Sequence, residues 1–337
     1  MRFVSSLARF QRWITPTVTA AMAADKVAAS SGKREIAPGK TRIGWIGTGV
    51  MGRWMCGHIL DAGYALTVYN RTPSKAQDLC GPGQAFLADS PLQVAQRSDV
   101  VFTIVGYPAD VRQVILGPLG ILEGLEPGGI VVDMTTSEPA LAREIAARAL
   151  DRGCHALDAP VSGGDRGAKA GKLSIMVGGD LEAFTALAPL FQCMGSPTFM
   201  GAAGSGQSCK LANQVTIATT MVGLVEGMLF AHKAGLDVES YLAAIAGGAA
   251  GSKSLELYAQ RIQRRDFQPG FYVNHFVKDL GIAINECSRL DLCLPGLALA
   301  QQLYVSLKAH GDGNLGTQAL VLALERLNNI QLLDKKP

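Results

Sequence analysis

A short apolar run, Ile43-Gly44-Trp45-Ile46, leads directly into Gly47-Thr48-Gly49-Val50-Met51-Gly52, and a helical pattern follows through His58 to Ala62. The order is strand, glycine turn, helix, and no other stretch constrains the fold as strongly. In such a turn Gly47 permits the tight reversal, Gly49 lets backbone approach a pyrophosphate, and Gly52 lets helix and strand pack closely. The free N–H groups of the helix N-terminus attract the anion. A second apolar run at 65–69, after a loop at Gly63, supplies the βαβ context that gives the fingerprint its meaning. Further strands are expected at 99–105, 130–133, 155–158 and 173–177. Apolar strands alternating with helices of about 10 to 15 residues predict an α/β chain, with a Rossmann-type, doubly wound, mostly parallel sheet whose ligands lie beyond the carboxyl ends of the strands. Those ends carry Val105-Gly106-Tyr107-Pro108, Asp133-Met134-Thr135-Thr136-Ser137 and Asp158-Ala159-Pro160-Val161-Ser162, and all three should face the cofactor.

The end of the second strand bears on which dinucleotide binds. An Asp or Glu about 20 residues beyond the first glycine would hold the ribose 2′-hydroxyl of NAD. The chain instead reads Asn70-Arg71-Thr72, with Lys75 one turn into the next expected helix. The Arg71 guanidinium can pair with a 2′-phosphate and Thr72 can add a hydrogen bond, so NADP is favoured over NAD. The alternative is that Arg71 and Lys75 are ordinary solvated charges.

Two further stretches carry chemistry. In the block running from Asp158 to Leu173, the hydroxyl of Ser162 and the unhindered N–H groups of Gly163 and Gly164 form a small nest suited to a carboxylate. A plain loop is the alternative. The block Gly204-Ser-Gly-Gln-Ser-Cys-Lys210-Leu-Ala-Asn213 then opens a long apolar helical pattern, and Lys210 and Asn213 share one face of it. A lysine in a first turn is disfavoured by the helix dipole. An apolar setting lowers its pKa further, as proton transfer near neutrality requires. Pattern alone leaves a snorkelling surface lysine open.

From 204 onward only helical patterns occur, at 204–234, 238–245, 253–262, 274–289, 295–309 and 317–327. The expected organisation is a leader and linker at 1–40, an NAD(P)-binding domain at 41–203, and an all-α domain at 204–334 joined through a long helix and serving substrate binding and dimerisation. His232, His275 and His310 are isolated, without metal-ligand spacing, and read as surface or packing residues; no metal is required.

These blocks, with Phe271-Tyr-Val-Asn-His-Phe-Val-Lys278-Asp279-Leu280, resemble the β-hydroxyacid dehydrogenase family, which includes 3-hydroxyisobutyrate dehydrogenases and the plant glyoxylate/succinic semialdehyde reductases. The likeness runs from Thr41 to the C-terminus and is strongest to the plant 3-hydroxyisobutyrate dehydrogenase-like mitochondrial group. It implies reversible hydride transfer on a small carboxylate-bearing hydroxy acid or semialdehyde. By the same resemblance, Lys210 matches the catalytic lysine and Asn213 the asparagine that helps to hold the substrate. Ser162, Gly163 and Gly164 match the carboxylate-binding residues, Thr136 and Lys278 match cofactor contacts, and Phe271 and Asp279 match residues lining the site. Two departures matter. NAD-selective members carry an acidic residue where Asn70-Arg71 stands, which favours an NADPH-driven reductase as the alternative to valine-derived 3-hydroxyisobutyrate oxidation. Gly106-Tyr107-Pro108 replaces a Leu-Pro form, and Tyr107 is expected to crowd or reshape the nicotinamide pocket. A non-catalytic NADP-binding sensor or scaffold is the reading from a different class.

Composition supports these limits. A net charge of +3 on 337 residues, with 6% aromatics, offers neither a phosphate-tracking stripe nor a stacking platform, so nucleic acid is not an expected partner. The seven cysteines lack a C-x-x-C pair and read as reduced, mostly buried thiols. No uninterrupted apolar run reaches the ~18 residues of a membrane span. A homo-oligomer, dimer or tetramer, is expected. The first 24 residues contain Arg2, Arg9 and Arg12, no acidic residue, and Phe3, Leu7, Phe10 and Ile14 at helical spacing. That is the pattern of an organellar transit peptide, with the mitochondrion favoured over a plastid.

Overall fold

The structure, a computed structural model, describes residues 35–81 and 85–332; the transit peptide expected in the first 24 residues lies outside the described residues. The chain engages the fold slightly earlier than Thr41. Ile36 packs against the apolar core, and the Ala37 N–H donates to Thr41 Oγ1 at 3.1 Å.

The first half contains β1 (Arg42–Ile46), α1 (Gly52–Asp61), β2 (Ala65–Tyr69), β3 (Phe86–Leu87), α2 (Pro91–Gln96), β4 (Val100–Thr103), α3 (Pro108–Leu116), β5 (Ile130–Asp133), α4 (Pro139–Asp151) and β6 (His155–Asp158). After these come β7 (Val161–Ser162), α5 (Gly164–Lys169), β8 (Leu173–Gly179), α6 (Leu181–Ala186), α7 (Ala188–Met194) and β9 (Gly195–Gly201). The sheet order is β3-β2-β1-β4-β5-β6-β8-β7, with β9 also paired to β8. β1 to β6 run parallel, and β8 is antiparallel to β6 and β7. β4 and β5 read VVFT and IVVD and are buried at every position, as expected of strands covered on both faces. One core lies on the α1 and α7 side of the sheet, where Trp45 stacks on Phe102 with ring centroids 5.5 Å apart. A second lies beneath α2, α3 and α4.

Two local expectations need correction. No α-helix follows β2; the segment forms two 3₁₀ turns, Pro73–Lys75 and Gln77–Leu79, so Lys75 ends a single turn. The strand β9 was not foreseen, because Gly195, Pro197 and Gly201 break its pattern. Among the described residues it pairs only with β8, and such an edge tolerates a proline.

The second half is α8 (Ser205–Lys233), α9 (Val238–Ala246), α10 (Lys253–Gln263), α11 (Val273–Arg289), α12 (Pro295–Ala309) and α13 (Leu320–Asn328). Asp237 and Ser252 cap α9 and α10 by accepting the N–H groups of Ser240 and Leu255. By length and composition α8 is apolar enough to cross a membrane, but here Met221, Val225 and Met228 lie at the centre of a third core shared with α11, α12 and α13. The cysteines are free, as expected. Only Cys56 and Cys154 are fully buried, however; Cys80, Cys193, Cys209 and Cys287 are half-buried and Cys293 is exposed.

The first turn of the sheet is set by steric contact. Gly47 has φ +99°, and a Cβ on Gly52 would fall 2.0 Å from the Gly47 carbonyl oxygen. Gly52→Ala is therefore expected to push α1 off β1 and to lower unfolding free energy by about 1–3 kcal/mol, the usual range for overpacking. Urea denaturation checks this; a variant as stable as wild type would contradict the close-packing role.

Candidate active site

The glycine turn is held from β2. The Gly47 N–H donates to the Tyr69 carbonyl at 2.9 Å, and the Thr48 N–H donates to Asn70 Oδ1 at 3.0 Å. Asn70 Nδ2 donates to the Thr72 carbonyl at 2.8 Å, so this side chain braces the turn. Met51 leads into α1 with no side-chain cap and no acidic residue in the first turn. Gly49 and Val50 are exposed, and nothing lies within 4 Å of a Cβ built on Gly49. The Thr48 hydroxyl is buried without a hydrogen-bond partner among the described residues. An orphaned hydroxyl, open space over the turn and an uncapped helix N-terminus fit the pyrophosphate of a dinucleotide.

Thr72 and Lys75 are exposed beside this turn, and Arg71 is 84% exposed. Arg71 is not a lone cation. Its Nη1 lies 3.0 Å from Asp110 Oδ1, a carboxylate that α3 delivers from 39 residues further along the chain.

At the carboxyl ends of β4 to β6 the structure corrects one expectation. Asp133 and Asp158 turn inward rather than toward a cofactor. Asp133 Oδ1 accepts the Thr103 hydroxyl at 2.8 Å and the Thr135 N–H at 3.1 Å, while Thr135 Oγ1 accepts the Val105 N–H at 2.9 Å. Asp158 accepts the N–H of Gly204 through Oδ1 and of Gln207 through Oδ2, both at 2.7 Å. Burial pushes both carboxyls up to about 6, against the hydrogen bonds that favour ionisation. Gln207 completes the frame by accepting the Ser137 N–H at 2.8 Å and donating to the Thr135 carbonyl at 2.7 Å. The backbone around Val105, Gly106 and Thr136 is thereby fixed by buried side chains, and α8 is tied to the sheet.

Lys210 sits in the second turn of α8, not the first, and is 7% exposed. The shift in its acidity therefore comes chiefly from burial. It is lowered to about 8, with Asp279 opposing and Lys278 assisting the change. No hydrogen bond or ion pair engages its ammonium among the described residues. Beside it, Asn213 Nδ2 donates to Gln214 Oε1 at 2.8 Å, and Gln214 Nε2 donates to Asp279 Oδ2 at 2.6 Å. Asp279 Oδ1 lies 2.8 Å from Lys278 Nζ, which donates to the Thr136 carbonyl at 2.6 Å. One connected chain thus joins Asn213, Gln214, Asp279, Lys278 and Thr136 across the two halves of the molecule. Asp279 is buried, with its charge met by Lys278.

Ser162 ends β7, opposite Ser174 of β8. Gly163 and Gly164 have φ +134° and +63°, a conformation that side chains resist. The next residue, Asp165, approaches the loop that carries Phe271, since a Cβ on Gly270 would meet Asp165 Oδ1 at 3.1 Å. Phe271 itself packs edge-on against Phe276 at 5.4 Å, partly buried on the helical core and outside that connected set of polar side chains.

Tyr107 reaches across to the helical half, where its ring lies 5.6 Å from that of His275; Tyr272 flanks the same imidazole at 5.9 Å. His275 is a packing residue, as expected, and burial lowers its pKa. These three side chains edge a cavity of about 580 Å³. Sequence reasoning missed Gln207, Gln214 and Asp110. The first two had a signal: residues 207, 210 and 214 are polar and share the inward face of an apolar helix. Asp110 had none, because its partner is remote in sequence.

Comparison with known proteins fits this geometry. Residues 42–204 match a family model described as the NAD binding domain of 6-phosphogluconate dehydrogenase. Residues 204–324 match one described as the NAD-binding domain of NADP-dependent 3-hydroxyisobutyrate dehydrogenase. The chain is 67% identical over 298 residues, 88% of its length and 89% of the relative's, to "Probable 3-hydroxyisobutyrate dehydrogenase-like 1, mitochondrial" of Arabidopsis thaliana. Among solved structures, Mycobacterium tuberculosis 3-hydroxyisobutyrate dehydrogenase with L-serine superposes with a TM-score of 0.76 at 28% identity, covering 84% of this chain and 99% of that one. Psf3 in complex with NADP+ and 2-OPP gives 0.77 at 26% identity, with the same coverage. With a dinucleotide turn, a helical second half and relatives of this kind, the chain is an NAD(P)-binding oxidoreductase of the β-hydroxyacid dehydrogenase family, in its 3-hydroxyisobutyrate dehydrogenase-like group.

Proposed function

We propose that the protein catalyses reversible hydride transfer between a nicotinamide nucleotide and the alcohol or carbonyl carbon of a small carboxylic acid, with Lys210 as general acid and base. The observation that carries this reading is a buried lysine without a hydrogen-bond or ion-pair partner among the described residues, its pKa lowered to about 8, on the helix face that also bears Asn213. The nicotinamide, when bound, supplies or accepts the hydride. In reduction the protonated Lys210 gives its proton to the forming alkoxide oxygen. In oxidation its neutral form takes the hydroxyl proton. Ser162 and the N–H groups of Gly163 and Gly164 clamp the substrate carboxylate, Asn213 orients the reacting oxygen, and Phe271 forms part of the pocket wall. Asp279 supports the site through Gln214 and Lys278, and Lys278 with Thr136 borders the nicotinamide end.

The cofactor reading is NADP, supported by Asn70-Arg71-Thr72 at the end of β2 in place of a carboxylate. That same feature favours, as the second reading, NADPH-driven reduction of a semialdehyde or glyoxylate over oxidation of 3-hydroxyisobutyrate. The domain roles proposed are cofactor binding by 41–203, and substrate binding with self-association by 204–334. A mitochondrial location accords with the leader pattern and with the printed name of the Arabidopsis relative.

Lys210→Ala should lower kcat by at least about a hundredfold, the usual scale of general acid–base catalysis. NADPH binding should persist. In the wild type, kcat/KM for oxidation should rise with pH through about 8 and that for reduction should fall above it. A variant that keeps wild-type turnover on a panel of hydroxy acids and semialdehydes would overturn the assignment.

The same lysine is expected to cost stability. Because burial lowers its pKa from 10.5 to about 8, its charged form is disfavoured in the fold. The cost is full below pH 8 and disappears as pH rises toward 10.5. Lys210→Met should therefore be more stable than wild type at pH 7 by roughly 1–3 kcal/mol. That advantage should shrink at alkaline pH, as urea denaturation at several pH values would reveal.

Arg71→Ala should weaken NADPH binding about tenfold, the scale of a lost charge-assisted hydrogen bond. NADH binding should change much less. Fluorescence titration decides, and a wild type that binds NADH more tightly than NADPH would sink the cofactor reading.

A further inference from the structure

Asp110 stands against the cation proposed to hold the 2′-phosphate, and the proposed chemistry gives it no task. It lies in the first turn of α3. Its Oδ2 accepts the Tyr107 N–H at 3.1 Å, and its Oδ1 faces Arg71 Nη1 at 3.0 Å. The Asp110 side chain is 22% exposed against 84% for Arg71, so the carboxylate is anchored while the guanidinium reaches it from solvent. The backbone beneath is close as well, since a Cβ on Gly106 would meet Asp110 Oδ2 at 3.2 Å.

We infer that Asp110 is a specificity-determining residue, a fixed counter-charge that divides Arg71 between the protein and a cofactor 2′-phosphate and so moderates selection of NADP(H) over NAD(H). The inference rests on the reading of Arg71 given above. A dinucleotide without the 2′-phosphate leaves the Arg71–Asp110 pair undisturbed. One that carries it competes with Asp110 for the same guanidinium. At a solvent-exposed site this opposition is modest in size and is screened by salt. Asp110→Asn removes the charge and retains an oxygen that can accept the Tyr107 N–H.

The test is fluorescence titration of wild type, Asp110→Asn, Arg71→Ala and the double variant with NADPH and with NADH. Asp110→Asn should bind NADPH about two- to fivefold more tightly at low ionic strength, from the energy of an exposed ion pair. Its NADH affinity should stay within about twofold of wild type, which also reports an intact fold. The gain should fade near 1 M salt, where the screening length is about 3 Å, and should be absent in the Arg71→Ala background. Unchanged or weaker NADPH binding, a parallel shift for both nucleotides, or a gain that survives Arg71→Ala would overturn the inference. The two readings fail separately. If Arg71→Ala leaves NADPH affinity intact, the arginine reading falls, whereas if it weakens NADPH while Asp110→Asn does not tighten it, only the role of Asp110 falls.

Discussion

The carboxylate of Asp158 is the joint on which the arrangement depends. It ends β6 and accepts two backbone N–H groups, of Gly204 and Gln207, at the start of a 29-residue helix. Free N–H groups at a helix N-terminus need acceptors, and an aspartate at the end of a buried strand supplies one from another element. The site pushes the Asp158 carboxyl up to about 6, so its burial is costly, and the hydrogen bonds it accepts offset part of that cost. Because Asp158 fixes where α8 begins, it also fixes where Lys210 stands, less than two turns further on. Gln207 extends the joint to the backbone of Thr135 and Ser137.

A second joint between the two halves is ionic. Lys278 of α11 meets both Asp279 and the Thr136 carbonyl, so helical and sheet halves are connected beside the proposed nicotinamide end. Lys210 lies close enough to feel both charges, yet neither neutralises it by direct contact. A lysine held in this way has its pKa lowered to about 8, because burial outweighs the attraction of Asp279. The same arrangement makes the residue useful to proton transfer and unfavourable to stability.

The fold was largely legible because the parallel strands are continuous apolar runs and the glycine turn has a steric requirement that few other residues meet. The motif itself assigns Gly47 to the tight turn and Gly52 to the close packing of helix on strand; that a Cβ on Gly52 would strike the Gly47 carbonyl is the structure's addition. Legibility failed where pattern and structure part company. β9 carries glycine and proline yet forms a strand on the partnership of β8 alone, and the stretch after β2 is too short and too often punctuated for more than 3₁₀ turns. In the candidate site, Lys210, Asn213, Ser162 and the paired glycines were visible from residue type and spacing. Gln207 and Gln214 left a fainter signal, as polar residues on the inward face of an apolar helix, whereas Asp110 left none, because an aspartate at a helix start is ordinary until its remote partner is known.

Sequence alone determined the sheet's nucleation, the succession of strands and helices, the family and the polar residues worth testing, because each of these follows from local periodicity, turn sterics or motif order. Only the tertiary structure decided that Asp133 and Asp158 face inward, that Lys210 is buried without a hydrogen-bond or ion-pair partner among the described residues, and that Arg71 pairs with Asp110. Those outcomes depend on distances between segments far apart in the chain. Electrostatic energies vary steeply with such distances and with burial, and neither quantity is written in the local order of residues.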